Sequence, residues 1–446
     1  MKSNLTKLTL AFIFIAIVFV WTSVAHSDIQ QNTFLIIGAV FGAYMAMNIG
    51  ANDVANNVGP AVGSEALTMF GAIIVAAIFE ASGALIAGGD VIKTIKKGII
   101  DPSMLDNPEI FIWAMTAALL SAALWLNFAT YFGAPVSTTH SIVGGVMGAG
   151  IAAAGFSIVS WGTMGKIVAS WIISPILGGV IAASFLYFIK SSIVNKDDMI
   201  SSAKKVVPLL VSLMSIAFTT YLILKGIKKL IKIDFPTALT LGIVAGIIIY
   251  FIVKPLIAKA ADKLNNDRAD VNGLFTIPLI FSAALLSFAH GANDVANAIG
   301  PLAAINDAVI NGGIATKAGI PLWVMSIGAF GIVVGLALFG PKLIRTVGNE
   351  ITELDQMRAF SIAMAAAITV IIASQLGLPV SSTHIAVGGV FGVGFLREYL
   401  DKHNNKKEKY VKRDMVKKII AAWIITVPAA AILSAIVFFI IKTFMV

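Results

Sequence analysis

The heptapeptide GANDVAN occurs at residues 50–56 and again at 291–297, each time at the end of a strongly apolar run. Asn52 and Asn56 are four residues apart, so on a helix they share one face, with Asp53 beside them. Gly50 and the Gly59-Pro60 pair bracket the group, and together they let a helix open here. Carbonyl oxygens, an amide oxygen and a carboxylate make a hard-oxygen cage suited to a dehydrated alkali cation. A charged side chain inside a membrane costs about 2.5–3.5 kcal/mol or more unless it is paired. No Lys or Arg occurs in 45–63 or 286–304, which leaves soluble cations as the partners of Asp53 and Asp294. The competing reading is polar glue between helices. Asparagine alone would serve for that, and it does not account for an aspartate repeated with identical flanks.

The second candidate motif has different chemistry. PVSTTHSIVGGVMGAG (135–150) is repeated as PVSSTHIAVGGVFGVG (379–394). Pro135 is expected to end the preceding helix, because the residue before proline leaves the α region. Ser137 is then a natural N-cap, with Thr138 and Thr139 in the first turn. Ser381, Ser382 and Thr383 repeat the arrangement. Each copy offers a helix N-terminus crowded with hydroxyls, and such termini bind anions. Two of them meeting near the middle of the chain's fold would receive a tetrahedral oxyanion. For one copy alone, ordinary capping of a buried helix is the better explanation. Two copies, each paired with an Asn/Asp motif, point to anion binding. Gly144-xxx-Gly148 and Gly388-xxx-Gly392 allow close backbone approach.

His140 and His384 follow the hydroxyl runs directly. They either donate to an anion or carry a proton, or they are buried neutral rings that fix a loop. His290 precedes the second heptapeptide and has Ile49 as its counterpart, so a packing role is expected for it. Glu80 lies in the apolar run IIVAAIFEASGALIAGG, where an acidic residue is a functional candidate by default. Its counterpart is Ile332.

The elements that position these residues are membrane helices. Of 446 residues, 58% are hydrophobic and 12% charged. Soluble chains carry about 25% charged residues. The absence of cysteine excludes disulfides and thiolate metal sites. The net charge of +9 is scattered over short loops, which reads as topology signal and contact with lipid headgroups, with no nucleic-acid partner. Lys2 and Lys7 followed by an apolar run to Val24 resemble a signal peptide, but the run is long enough to span and a retained helix is expected. Apolar segments follow one another to the end of the chain, two of them (139–155 and 384–396) short and glycine-rich like half-helices. An all-α polytopic membrane protein with about 12 transmembrane elements is expected.

The chain reads as two halves. VIKTI (91–95) matches LIRTV (343–347), and ASWIISP (169–175) matches AAWIITVP (421–428), in the same order as the longer motifs. The expected divisions are an extra N-terminal helix (1–32), a first repeat (33–189), a connector with two plain helices (190–273) and a second repeat (274–446). Duplicated halves with a site between them characterise secondary transporters. The paired half-helices predict inverted repeats with broken helices and re-entrant segments.

Two GANDVAN motifs, each followed by a P-V-S-[ST]-T-H motif, closely resemble the PiT family of inorganic phosphate transporters, over most of residues 33–445. The resemblance implies a cation-coupled phosphate symporter in the inner (plasma) membrane, a homodimer with an elevator-like movement. On this chain it implies phosphate binding by Ser137, Thr138, Thr139, Ser381, Ser382, Thr383, Asn56 and Asn297. It assigns sodium to Asn52, Asp53, Asn293, Asp294 and Glu80. One departure stands out: Ala363 lies where many members carry an acid in F-S-x-E. The long hydrophilic central loop of animal members is absent as well.

Sodium is the expected coupling ion, with protons as the alternative. Sulfate is the alternative substrate. A channel would need a continuous polar pore. A hydrolase built on Ser137 and His140 is disfavoured by their duplication at Ser381 and His384. Phosphate with Asp53 and Asp294 brings about three to four negative charges, while helix termini supply about half a charge each. Two or three cations are therefore expected to bind with the anion. The basic stretch 397–418 is expected on the cytoplasmic side.

Overall fold

The computed structural model describes residues 2–105, 107–132, 136–226, 233–311, 319–349, 354–403 and 409–445. Pro135, and with it the predicted helix stop at 133–135, lies outside the described residues, as does part of the 397–418 stretch.

Helices make up nearly all of it, and no strand occurs among the described residues. The first half contains α1 (Lys2–Ala25), α2 (Asn32–Asn52), α3 (Val54–Gly63), α4 (Met69–Ala87), α5 (Gly89–Lys97), α6 (Pro108–Tyr131), α7 (Thr138–Ala154) and α8 (Trp161–Ile189). The connector supplies α9 (Met199–Lys225), α10 (Phe235–Ala261) and α11 (Arg268–Gly273). The second half follows with α12 (Thr276–Asn311), α13 (Leu322–Asn349), α14 (Gln356–Gln375), α15 (Ser382–His403) and α16 (Arg413–Met445). Eleven helical stretches among the described residues are long and apolar enough to cross a membrane, with α2–α3 and α11–α12 each counted as one. The two serine-capped helices α7 and α15 are not among these eleven. The chain is an all-α polytopic membrane protein.

Close backbone approach locks equivalent helices in equivalent ways. A Cβ on Gly83 of α4 would overlap the carbonyl oxygen of Phe288 on α12, and one on Gly335 of α13 would overlap that of Met47 on α2. Gly148 of α7 meets Ala431 of α16 in the same manner that Gly392 of α15 meets Gly179 of α8. In each case the partner comes from the other half of the chain. Such contacts need glycine, because any side chain would push the backbones apart. The motif helices α2 and α12 pass each other head to tail: Gly38 lies against Leu302 and Ile305, and Gly42 against Leu302 and Ala298.

The helix opening expected at GANDVAN is slight. In the first copy the helical hydrogen-bonding is interrupted only at Asp53, whose dihedrals stay right-handed helical (φ −86°, ψ −33°). In the second copy α12 runs on through Asp294 and Pro301. The physical reason is burial: the surrounding helices hold the path, and each proline removes a single backbone donor. The N–H groups missing at Pro60 and Pro301 are those that would bond the carbonyls of Asn56 and Asn297.

Candidate functional site

Both serines cap their helices as the sequence predicts. Ser137 Oγ accepts from the His140 backbone N–H at 3.1 Å, and Ser381 Oγ from that of His384 at 3.2 Å. The capped ends of α7 and α15 face each other, and His140 and His384 stack edge to face with ring centroids 4.4 Å apart. Each ring also packs on a tryptophan of the matching ASW/AAW segment, His140 on Trp171 (3.8 Å) and His384 on Trp423 (3.7 Å). The two histidines thus sit behind the hydroxyls as an aromatic seam, which favours the packing role.

The hydroxyls are turned onto the heptapeptides. Thr138 Oγ1 donates to Asp53 Oδ2 at 2.5 Å, and the equivalent Ser382 Oγ to Asp294 Oδ2 at 3.1 Å. The halves also cross. Asn56 Nδ2 donates to Thr383 Oγ1 at 2.9 Å, and Asn297 Nδ2 to Thr139 Oγ1 at 3.1 Å and Thr138 Oγ1 at 3.2 Å. Thr383 Oγ1 lies 3.3 Å from Asp53 Oδ1, and Thr139 Oγ1 donates to the Val380 carbonyl at 2.9 Å. One site is therefore assembled from both halves, and it contains Asp53, Asn56, Asp294, Asn297 and the hydroxyls of Thr138, Thr139, Ser382 and Thr383.

Asn52 and Asn293 reach the segments that lead into α7 and α15. Asn52 pairs with Thr130 at 2.9 Å. Asn293 donates to Ser374 Oγ at 2.9 Å and the Leu378 carbonyl at 3.2 Å, and it accepts from the Val380 N–H at 3.4 Å. Both amides tie their helix to the chain that leads into α7 or α15.

Glu80 lies beyond Asp294, and His290 joins them. His290 Nδ1 is 2.7 Å from Glu80 Oε2, and its Nε2 is 2.9 Å from Asp294 Oδ2. Asn57 Nδ2 donates to Glu80 Oε1 at 2.6 Å. His290 was expected to be packing, and it is instead the hub of a fully buried acid–imidazole–acid chain. Sequence reasoning missed Asn57 altogether. A signal was present: Glu80, His290 and Asn57 have Ile332, Ile49 and Ala298 as counterparts, so three polar residues break the repeat together.

Ligand atoms of Asp53, His290 and Asp294 all lie within 4.8 Å of one another. Asp294 Oδ1 and Asn297 Oδ1 are buried without a hydrogen-bond partner in the protein. Open acceptor oxygens beside two carboxylates and several hydroxyls suit a hard cation. No side chain of this constellation is more than 4% exposed, so the site is shut from solvent.

Comparison with known proteins agrees with this arrangement. Residues 49–434 match the model of the phosphate transporter family. A Helicobacter pylori J99 protein, provisionally named a phosphate permease, is 47% identical, with 98% of this chain and 95% of the relative aligned. A similarly named protein of Pyrococcus abyssi is 39% identical over 92% of this chain and 98% of its own length. A solved structure described as the sodium-dependent phosphate transporter superposes with TM-score 0.86 at 36% identity, covering 93% of this chain and all of that one. The chain belongs to the phosphate transporter family, and it is a membrane transporter rather than an enzyme.

Proposed function

We propose that this chain is a sodium-coupled symporter of inorganic phosphate in the plasma membrane. The observation that carries the reading is the shared site itself. Two buried carboxylates stand among hydroxyls at two facing helix N-termini, and neither motif of either pair contains Lys or Arg. Phosphate would lie between the capped ends of α7 and α15, held by Thr138, Thr139, Ser382 and Thr383 together with Asn56 and Asn297. Sodium ions, two or three per phosphate, would sit against Asp53 and Asp294, using Asn297 Oδ1 and nearby hydroxyls. An anion added to two buried carboxylates is prohibitively costly without cations. Sodium and phosphate should therefore raise each other's affinity. Calorimetric titration of phosphate at varied sodium tests this, and a phosphate affinity indifferent to sodium overturns it.

Supporting an inverted arrangement of the halves, the equivalent helices α2 and α12 run antiparallel. A two-fold relation between them then lies across the helices, in the plane of the membrane. A closed site built from both halves suits alternating access, with α7, α15 and the motif helices moving as one body past the rest. The homodimer belongs to the same proposal, and its sign is a two-chain mass in detergent. One end of the molecule gathers Lys190, Arg268, Arg358 and Arg397, which the positive-inside rule puts in the cytoplasm.

His290 between Glu80 and Asp294 favours a second reading, in which a proton replaces one sodium. Uptake into proteoliposomes with sodium and proton gradients imposed separately decides between them. Full uptake driven by protons in sodium-free buffer rules out sodium coupling. Sulfate competing equally with labelled phosphate would shift the substrate.

A further inference from the structure

Two flanks of the site occupy equivalent positions and are built differently. On the flank of the second half, Lys225 at the end of α9 donates to Asp90 Oδ2 (2.6 Å) and to the Ser374 carbonyl (3.0 Å). Tyr221 of the same helix packs with Ala87, Phe288 and Ala292, all buried. That flank is plugged. On the flank of the first half, the position of Asp90 is taken by Lys342, whose Nζ donates to the Tyr131 carbonyl at 3.2 Å. In place of the plug there is a cavity of about 460 Å³ whose lining includes Lys7, Asn48, Asn127, Thr130 and Lys342. It also touches Ala51, two residues from Asp53, and Thr130 is the residue that holds Asn52.

Among the described residues the lining contains two lysines, several amides and hydroxyls, and no acid. Lys7 comes from α1, which lies outside both repeats, so the N-terminal helix completes the cavity. A pocket lined by one sign of charge with low-dielectric walls concentrates ions of the opposite sign. Lysine is a flexible point charge suited to holding a phosphate group transiently.

Because α2 and α12 run antiparallel, the Asn48 end of α2 lies toward the start of α12, the end that carries Arg268, and we propose that this cavity is an antechamber that binds a phosphate group on that cytoplasmic approach to the site, before or after its passage through the capped helix ends. The inference rests on the phosphate-transport reading. The same chemistry would accept free phosphate or the headgroup of an anionic lipid.

The test uses the full chain in proteoliposomes, comparing Lys7→Gln/Lys342→Gln with Lys7→Arg/Lys342→Arg. If free phosphate is the ligand, the Gln pair raises the half-saturating phosphate concentration about tenfold from the cytoplasmic face only, as expected for a lost focusing field. The Arg pair then stays near wild type, and sodium half-saturation does not move. If a lipid is the ligand, the difference between Gln and Arg pairs appears only in vesicles containing phosphatidylglycerol and vanishes in phosphatidylcholine. No difference in either vesicle, or an equal shift from both faces, overturns the proposal. A readout independent of transport uses Asn127→Cys in this cysteine-free chain. Phosphate, or phosphatidylglycerol, should slow its reaction with an anionic thiol reagent severalfold, and an unchanged rate overturns the proposal even where uptake is absent. Wild-type chain that takes up no phosphate at all tells against the transport reading instead.

Discussion

Asp53 and Asp294 hold the same place in the two copies of the heptapeptide, yet their surroundings differ. Asp53 faces Thr138 at 2.5 Å and Thr383 at 3.3 Å, one hydroxyl from each half. Asp294 faces a single hydroxyl, Ser382, and then an imidazole, His290 at 2.9 Å, behind which stands Glu80. The first carboxylate takes its hydroxyls from both halves, and its oxygen lies within 4.8 Å of ligand atoms of His290 and Asp294. The second is wired to a third acid through a ring that can hold a proton. The two copies carry similar carboxylates, and Glu80, His290 and Asn57, which have no polar counterpart in the other half, form a network beside Asp294. A transporter built this way need not bind two identical cations, and the two sites can respond to different ions.

The largest expected effect separates the two aspartates. Asp53→Asn removes one of the two carboxylates of the shared site and faces two hydroxyls with an amide. Removing one partner of a buried charge pair costs about 3–5 kcal/mol. Sodium-driven phosphate uptake should then fall about a hundredfold or more, at roughly tenfold per 1.4 kcal/mol. Asp294→Asn keeps Glu80 and His290 nearby, and a fall of about tenfold is expected on the same scale. Equal losses in the two variants would break the comparison.

Glu80 and His290 should behave as a unit. Residues in one buried network couple by about 0.5–3 kcal/mol. Uptake by Glu80→Gln/His290→Gln should therefore exceed what the two single losses predict when multiplied. Strict multiplication would mean that the 2.7 Å contact is incidental.

Much of this was legible in the sequence. The all-α class, the serine caps and the apolar spans follow from spacing and hydropathy, whereas the half-helix expected at 384–396 is a helix of 22 residues, Ser382–His403. The pairing of Thr138 with Asp53 was not, because it joins residues 85 positions apart and depends on how helices cross. Nor was the continuity of α12 through Pro301, where surrounding packing overrides a local helix breaker. His290 was discounted because Ile49 replaces it in the other half. Repetition marks what both halves need, and it is silent about what one half has added. Polar residues that break a repeat at several buried places are better read as a cluster.

A smaller effect tests the crossing hydroxyls. Thr383 bridges Asn56 and Asp53, whereas its equivalent Thr139 bridges Asn297 and the Val380 carbonyl. Thr383→Val removes a hydroxyl from a carboxylate, a bond to a charged group worth about 1.5–3 kcal/mol. Sodium half-saturation should rise by about tenfold or more. Thr139→Val removes a neutral bond worth about 1 kcal/mol and should lower the melting temperature while sodium dependence stays near wild type. Sodium dependence that changes alike in both variants would place the same cation site on each side.

The smallest effect is expected where the halves have not diverged. Ser137 and Ser381 accept from His140 and His384 at 3.1 and 3.2 Å, so their oxygens are already used as caps. Loss of a cap costs about 1 kcal/mol, and a cap that serves both helices equally must cost the same in each half. Ser137→Ala and Ser381→Ala should therefore lower stability by similar, modest amounts in a thermal melt, and raise half-saturating phosphate by no more than about fivefold. A fall in phosphate affinity far beyond the loss of stability would mean that the serine hydroxyls also donate directly to the anion. If that happened for Ser137 alone, the asymmetry seen at the aspartates would extend to the helix ends, and phosphate would have to lie off the axis relating the two halves.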